Sequence, residues 1–471
     1  MHRIVHLDLK GAPFKVHYLE KVILAAKSWG ATGILIEWED TFPYSAALAD
    51  IGSVRGSGGD GMYSLDEVRH LLRFIKDHGL EPIQLVQTIG HMEFVLKHPA
   101  YHSLRELARS PAVLCPSRPE ALQLVKMMLE QTLDAQPAAE YLHIGADEVW
   151  HTAVCPDCQS RAANNIHNTA SLYLEHIREL ALFLKQKRPH LTVLMWDDML
   201  RSVKADTLNA YQLGELVQPV VWQYNAMEHF HIDPSLWESY RQVFPQVWAG
   251  SAFKGANGSC QILSPVRRYV SNQEAWRMEV KKYSHSISFA GIILTGWSRF
   301  DHYATLCELL PVSLPSLASC LKVWTMDEMS LDNTVVSEVL PPEQWPGSEL
   351  ARCVHSFVVL RDRAYIIVHG DLVKTWLNPW QIENGYINPV QVEGLAMTVQ
   401  QLLLELTSLQ TDLTRTLYAV TGSRSASEWL ATFPAPVLRQ LTELRAVAAA
   451  AAKADASVSP RPKHCHLMSP T

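Results

Sequence analysis

The feature that most constrains this chain is a repeated alternation. Short apolar runs at 3–9, 33–36, 82–86, 141–144, 192–195, 219–224, 245–248 and 291–295 are separated by stretches with helical periodicity. Runs of this length read as buried strands, and strands alternating with helices imply a parallel sheet. Eight such units predict an α/β fold, a closed (β/α)8 barrel of the TIM type over residues 1–325, rather than an open doubly wound sheet. Ser64 with Glu67, and Ser117 with Glu120, have capping-box spacing ahead of the second and third helices. The first strand leads into Lys10-Gly11-Ala12-Pro13, which is neither a dinucleotide fingerprint nor a phosphate loop. Beyond the barrel, 349–368, 389–420 and 436–454 read as helices of a C-terminal extension over 326–455. That extension is expected to pack on the barrel or to serve as a homodimer contact. Residues 456–471 are Pro/Ser-rich and expected to be disordered.

A parallel barrel carries its chemistry at the carboxyl ends of its strands. Those ends hold Asp8, Glu37 with Trp38, His91, Asp147 with Glu148 and Trp150, Trp196 with Asp197 and Asp198, Trp222 with Tyr224, Trp248, and Trp297. Six of the fourteen tryptophans therefore fall at or just past a strand end. A rim of tryptophans implies a concave aromatic pocket, suited to the apolar faces of sugar rings. The run His143-Ile144-Gly145-Ala146-Asp147-Glu148 is the most informative. Two adjacent carboxylates at the mouth of a buried strand repel, so one is expected to have a raised pKa and keep its proton. A protonated carboxyl beside an ionised one is what cleavage of an acetal requires. The plainer alternative is an Asp-Glu helix start.

These runs carry a resemblance. His143 to Glu148 resembles the signature of the β-N-acetylhexosaminidases of glycoside hydrolase family 20, and Gln87-Thr88-Ile89-Gly90-His91 is similar to that family's third-strand sequence ending in Gly-His. Trp196-Asp197-Asp198-Met199 and the run from Gly291 to Trp297 occupy family positions as well. The stretch from Gly90 to His98, and Asp301-His302-Tyr303 after Trp297, resemble the nucleocytoplasmic branch of the family, which favours N-acetylgalactosaminides. The resemblance implies an exo-acting hydrolase of terminal β-linked N-acetylgalactosamine or N-acetylglucosamine. It acts with retention, the substrate's acetamido group serving as nucleophile. Carried over, Glu148 is the general acid and then base, and Asp147 holds the acetamido N–H. Trp196, Trp222 and Trp297 wall the sugar, Tyr224 binds the acetamido group, and Asp8 and His91 complete the substrate-binding set. Two positions depart from the family. Gly11, with Lys10 beside it, stands where an arginine is usual after the first strand, and Arg299 stands where an acid is usual after the last, with Asp301 as its substitute.

Other readings remain. Asp197-Asp198 is also the acid pair of O-GlcNAc hydrolases, or, together with Glu37, a source of a protein nucleophile for a conventional retaining glycosidase. Its plainer role is to orient Trp196 and start a helix. A catalytically silent sugar-binding barrel would keep the same aromatic pocket. Cys155-Pro156-Asp157-Cys158 with His151 has metal-like spacing, but no second Cys-x-x-Cys exists, so the pair reads as reduced thiols in a surface loop and no metal is assigned. No cofactor is called for. A net charge of −7 without a basic run argues against nucleic acid as partner. No apolar run is long enough to span a membrane. Eight scattered cysteines behind a terminus that enters a strand directly, with no leader, point to the cytoplasm or nucleus.

Overall fold

The computed structural model describes residues 1–52, 61–326 and 345–453. The glycine-rich loop at 55–61 thus falls almost wholly outside the described residues, as do the C-terminal segment 456–471 and its His464-Cys465-His466. Eight parallel strands close into a barrel in sequence order: β1 (His2–Asp8), β2 (Gly33–Glu37), β3 (Glu81–Leu85), β4 (Tyr141–His143), β5 (Thr192–Trp196), β6 (Gln218–Trp222), β7 (Val247–Lys254) and β8 (Phe289–Gly296). The last strand returns to the first with Ile4 opposite Ile293. The (β/α)8 barrel expected from the alternation is therefore the fold.

The side-chain period of two sorts each strand into an inner and an outer row. Ile4, Leu35, Ile83, Leu85, Leu194, Trp196, Val220, Trp248 and Ile293 form one buried cluster. On the same row as Ile4 and Leu35, one step nearer the carboxyl ends, His6 and Glu37 hydrogen-bond at 2.9 Å. The barrel is thus apolar below and polar above, and the polar layer is the floor of the site.

The helices follow local rules. Leu65–Asp77 buries Val68, Leu71, Leu72 and Ile75 at helical spacing, and Ser64 with Glu67 forms the expected capping box. The second expected box is absent. The helix Pro119–Ala135 begins on Pro119 without a side-chain cap; the Ser117 hydroxyl instead accepts from Arg161 and lies 2.9 Å from Cys158 Sγ. The helix after β8 runs Leu310–Thr325, longer than expected, with Pro315 inside it. Proline removes the N–H that the carbonyl four residues back would receive. That carbonyl, on Pro311, accepts from Trp345 Nε1 at 2.8 Å instead.

The strand at β7 departs most from expectation. The sequence suggested an end at Trp248, yet the strand continues to Lys254. Ala249, Gly250, Ser251 and Ala252 lack the bulk that marks a strand in a sequence. Their smallness is required: a Cβ on Gly250 would lie 2.9 Å from Cβ of Trp222. Trp248 consequently sits at the amino end of its strand, fully buried, with its ring against His2 and Tyr141. Cys155 and Cys158 also differ from a surface loop, since Cys158 is fully buried.

Among the described residues, Met1–Ser348 with Val420–Ser425 form one compact unit, and Glu349–Ala419 with those from Ala426 on form a second. Within the second, Ser348–Val368, Pro389–Val420 and Pro434–Ala451 are its long helices. Val392, Leu395, Val399, Leu402 and Leu406 are buried along one face, and the Phe357 and Trp429 rings meet at 5.7 Å. No described helix is long and apolar enough to cross a membrane.

Trp248→Ala removes a fully buried indole at the closed end of the barrel. It should cost about 3–5 kcal/mol of unfolding free energy in a denaturant titration and leave ligand affinity of the folded fraction unchanged.

Candidate active site

The acids at β4 are presented by a strained turn. The chain from Ile144 to Trp150 forms no helix, so the reading of Asp147-Glu148 as a helix start does not hold. Gly145, Ala146 and Glu148 all have positive φ, at 61°, 71° and 51°, a conformation that costs L-residues energy and persists only where surroundings enforce it. Three contacts enforce it here. Gln87 Oε1 accepts from Ala146 N at 3.1 Å, Tyr173 donates to Ala146 O at 2.8 Å, and Asp198 Oδ2 accepts from Glu148 N at 2.9 Å. Two glycines make room. A Cβ on Gly145 would fall 2.0 Å from Gln87 Oε1, and one on Gly90 would fall 2.0 Å from the Asp147 carbonyl oxygen. The Gly-His of the third strand thus packs directly beneath the acidic turn.

His91, itself at φ 50°, places Nε2 3.6 Å from Asp147 Oδ2 and 3.3 Å from Glu148 Oε2. Burial opposes a charge on this ring, but the Asp147 field and the Glu148 hydrogen bond outweigh it and push the pKa up to about 9. Burial raises Asp147, partly offset by His91. Glu148 moves the other way: its hydrogen bond from His91 lowers it. One of the two acids is raised, as expected, but it is Asp147, and burial rather than its neighbour is the chief cause. The proton nearest Glu148 in the free site resides on His91.

Both acids open into a cavity of about 290 Å³, lined also by Lys10, Gln87, His91, Trp222, Tyr224, Trp297 and Arg299. Trp222 and Tyr224 stack at 5.1 Å, forming one aromatic wall. Asp147 and Glu148 are the carboxylates on the lining. Glu37 lies below it, held by His6 and Gln87; its burial favours the neutral acid, but Lys10 and His6 overcome this and keep it ionised. Asp8 is also outside the lining; its carboxylate accepts from Lys10 N and Ser298 N and lies 3.5 Å from Lys10 Nζ.

Several expected positions move. Trp196 is buried beneath the cavity against His143 and Trp297. Trp38 is buried and donates to Gln84, and Trp150 is 71% exposed; neither lines the cavity. Of the six rim tryptophans, Trp222 and Trp297 reach it. Asp197 is fully buried in a bidentate pair with Arg201 and a hydrogen bond from Tyr240. Asp198 accepts from Trp222 Nε1 as well as from Glu148 N. These two acids hold Trp222 and the acidic turn, not Trp196, and stand behind the cavity wall, which counts against their use as an acid pair or nucleophile. Burial and the neighbouring Asp147 push Asp198 up to about 7.

Two contributors, Gln87 and Lys254, have no role assigned from the sequence, and Arg299 reads there only as a departure from the family. Gln87 bonds Asp147 Oδ1 at 3.1 Å. Lys254, buried at the end of β7, donates to the Trp297 carbonyl; an eight-residue strand hidden by small residues gave no signal for it. Arg299 leans over Gly11 and donates to the carbonyls of Lys10, Gly11 and Ala304. A guanidinium therefore does stand beside the first strand, supplied from β8, while Asp301 caps the following turn through Tyr303 N and Ala304 N.

Residues 83–199 match a family model described as a domain of unknown function (DUF4838). The chain is 38% identical to human (Homo sapiens) hexosaminidase D over 94% of its own length and 93% of that protein's. It is 43% identical to bovine (Bos taurus) hexosaminidase D over 68% of its own length and 91% of that protein's. Among solved structures it is similar to a β-N-acetylhexosaminidase from Bacteroides fragilis, with TM-score 0.50 at 18% identity, covering 68% of this chain and 65% of that one. At that identity the likeness is one of fold.

Two outcomes test the geometry. Gly90→Ala should displace the Asp147 carbonyl and cost about 1–3 kcal/mol of stability, read by thermal unfolding. The His91 cation has its pKa raised above the ordinary 6.5 to about 9. Its stabilising contribution is therefore complete below pH 6.5 and lost as pH rises to about 9. The melting temperature should fall across that window, and His91→Gln should flatten the fall.

Proposed function

The chain belongs to the hexosaminidase D family, and on that premise we propose that its cavity hydrolyses terminal β-linked N-acetylgalactosamine or N-acetylglucosamine with retention, the acetamido group of the sugar acting as nucleophile. The observation that carries this is the supply of carboxylates. A conventional retaining glycosidase needs two carboxyl groups about 5 Å apart on opposite sides of the bond. Here the acids on the lining are chain neighbours on one lip, which favours a nucleophile that arrives with the substrate.

Roles follow from the contacts. When a sugar fills the cavity it strips water from Glu148, which raises that carboxyl and draws the proton from His91. Glu148 then protonates the glycosidic oxygen as the acetamido carbonyl oxygen bonds to the anomeric carbon and the aglycone leaves. Asp147, oriented by Gln87, accepts the acetamido N–H and offsets the charge of the oxazolinium. Glu148 next takes a proton from water, which opens the ring and restores the anomeric configuration. Trp222, Tyr224 and Trp297 exclude solvent and pack the sugar, and Lys10 and Arg299 are cations on the lining available to its hydroxyls.

Glu148→Gln should lower turnover of substrates with poor leaving groups by about 10²–10⁴-fold and spare nitrophenyl reporters more. Asp147→Asn should depress both by about 10²-fold or more. Equal small losses from the two would reject the assignment, and binding of N-acetyl sugars without turnover would identify a silent sugar-binding barrel. A thiazoline mimic of the oxazoline should inhibit competitively, whereas a trapped glycosyl-enzyme ester would establish a protein nucleophile. Parallel kinetics with the galacto and gluco reporters decide the epimer.

A further inference from the structure

Cys155-x-x-Cys158 has no second Cys-x-x-Cys in the sequence to complete a metal site. The fold supplies two more donors from a distant segment. Glu106, Cys115, Cys155 and Cys158 each direct one ligand atom to a common point, and the four atoms all lie within 4.8 Å of one another. Cys115 Sγ is 3.5 Å from Cys155 Sγ and 3.6 Å from Cys158 Sγ, and Cys158 Sγ is 3.2 Å from Glu106 Oε2. Zinc–thiolate bonds of about 2.3 Å in a tetrahedron put sulfurs about 3.8 Å apart, so these spacings are close to the edges of a zinc site.

The surroundings are arranged as for a metal. Glu106 is 3% exposed. Its Oε1 is occupied by the backbone N–H groups of Val154 and Cys155 at 2.6 and 3.0 Å, which aims Oε2 at the thiols. Among the described residues no Lys, Arg or His forms an ion pair with it, and its Oε2 takes the Cys158 thiol at 3.2 Å, the contact that a shared cation would replace. Cys155 caps the helix Pro156–Ala163, and Cys158 N donates to its sulfur at 3.4 Å, which fixes that sulfur toward the cluster. Cys115 and Cys158 are fully buried. His151, which the sequence spacing placed beside the pair, is exposed and is not in the cluster.

We propose that this cluster is a structural zinc site of three thiolates and one carboxylate. Three soft sulfur donors and a closed tetrahedral set select zinc over calcium or magnesium. Its place in the fold gives it a purpose. Cys155 lies seven residues after Glu148, and the Glu106–Cys115 segment is tied to the His91 turn by Met92 N to Ala112 O and Leu114 N to Ile89 O, at 3.0 and 2.9 Å. The metal cross-links the two loops that present His91 and the acidic pair. Binding displaces the thiol protons to solvent and changes no oxidation state.

The test uses the full chain, produced with zinc and dialysed against a weak chelator, with metal measured by mass spectrometry. About one zinc per chain should remain, and cobalt substitution should give thiolate-to-cobalt charge transfer with the intense visible bands of a tetrahedral ion. Cys115→Ser/Cys158→Ser should lose the metal; Cys260→Ser, at an exposed cysteine outside the cluster, should keep it. Should the double variant fail to fold, the wild-type metal content and cobalt spectrum still decide. A metal-free wild-type chain, zinc retained by the double variant, or a mapped disulfide from Cys115 to Cys155 or Cys158 overturns the proposal. None of these readouts depends on glycosidase activity, so loss of the proposed hydrolytic function and loss of this site are separately visible.

Discussion

Two carboxylates at adjacent positions on the lip of a buried strand repel unless one is protonated or a cation faces both. His91 provides that cation, 3.6 Å from one and 3.3 Å from the other. Without that charge both acids would face each other in a site where burial already disfavours ionisation. Much of the surrounding structure serves to hold the three groups together: glycine at 90 and at 145 so that the turns can touch, Gln87 to fix both the turn and the Asp147 carboxylate, and Asp198 to hold the Glu148 backbone.

The same logic extends into the barrel. Lys10 is almost wholly buried, with Asp8 at 3.5 Å and Glu39 at 3.9 Å. Burial opposes its charge, but those acids outweigh it and keep it protonated. Burial and the neighbouring Glu37 raise Glu39 despite Lys10, and Glu39 pairs with His302, which burial pushes down to about 3. A polar layer of this kind is costly unless each charge has a partner, and here it forms the base on which the cavity and its aromatic walls rest.

The aromatic rim shows how rotation within a strand decides a role. Trp196 and Trp222 both close a strand, yet Trp196 belongs to the interior cluster and Trp222 lines the cavity. Trp248 looked equivalent until the strand proved to run on to Lys254, which put the indole at the opposite end of the barrel. A residue type and its distance from an apolar run do not say how far the strand continues, because a strand of small residues is shaped by its neighbours' bulk rather than its own hydrophobicity.

The sequence by itself determined the eightfold alternation, the strand carrying the acidic pair, the Gly-His beneath it and the long helices of the second unit. Those features depend on short-range period, on turn chemistry and on residues whose type is tied to one local task. The tertiary structure alone decided which tryptophans reach the cavity, that Asp197 and Asp198 stand behind its wall, that Arg299 arrives from β8 to cover Gly11, and that Glu106 and Cys115 meet Cys155 and Cys158. Each of these joins residues far apart in the chain. Their meeting is set by the closure and register of the barrel, which no local pattern encodes.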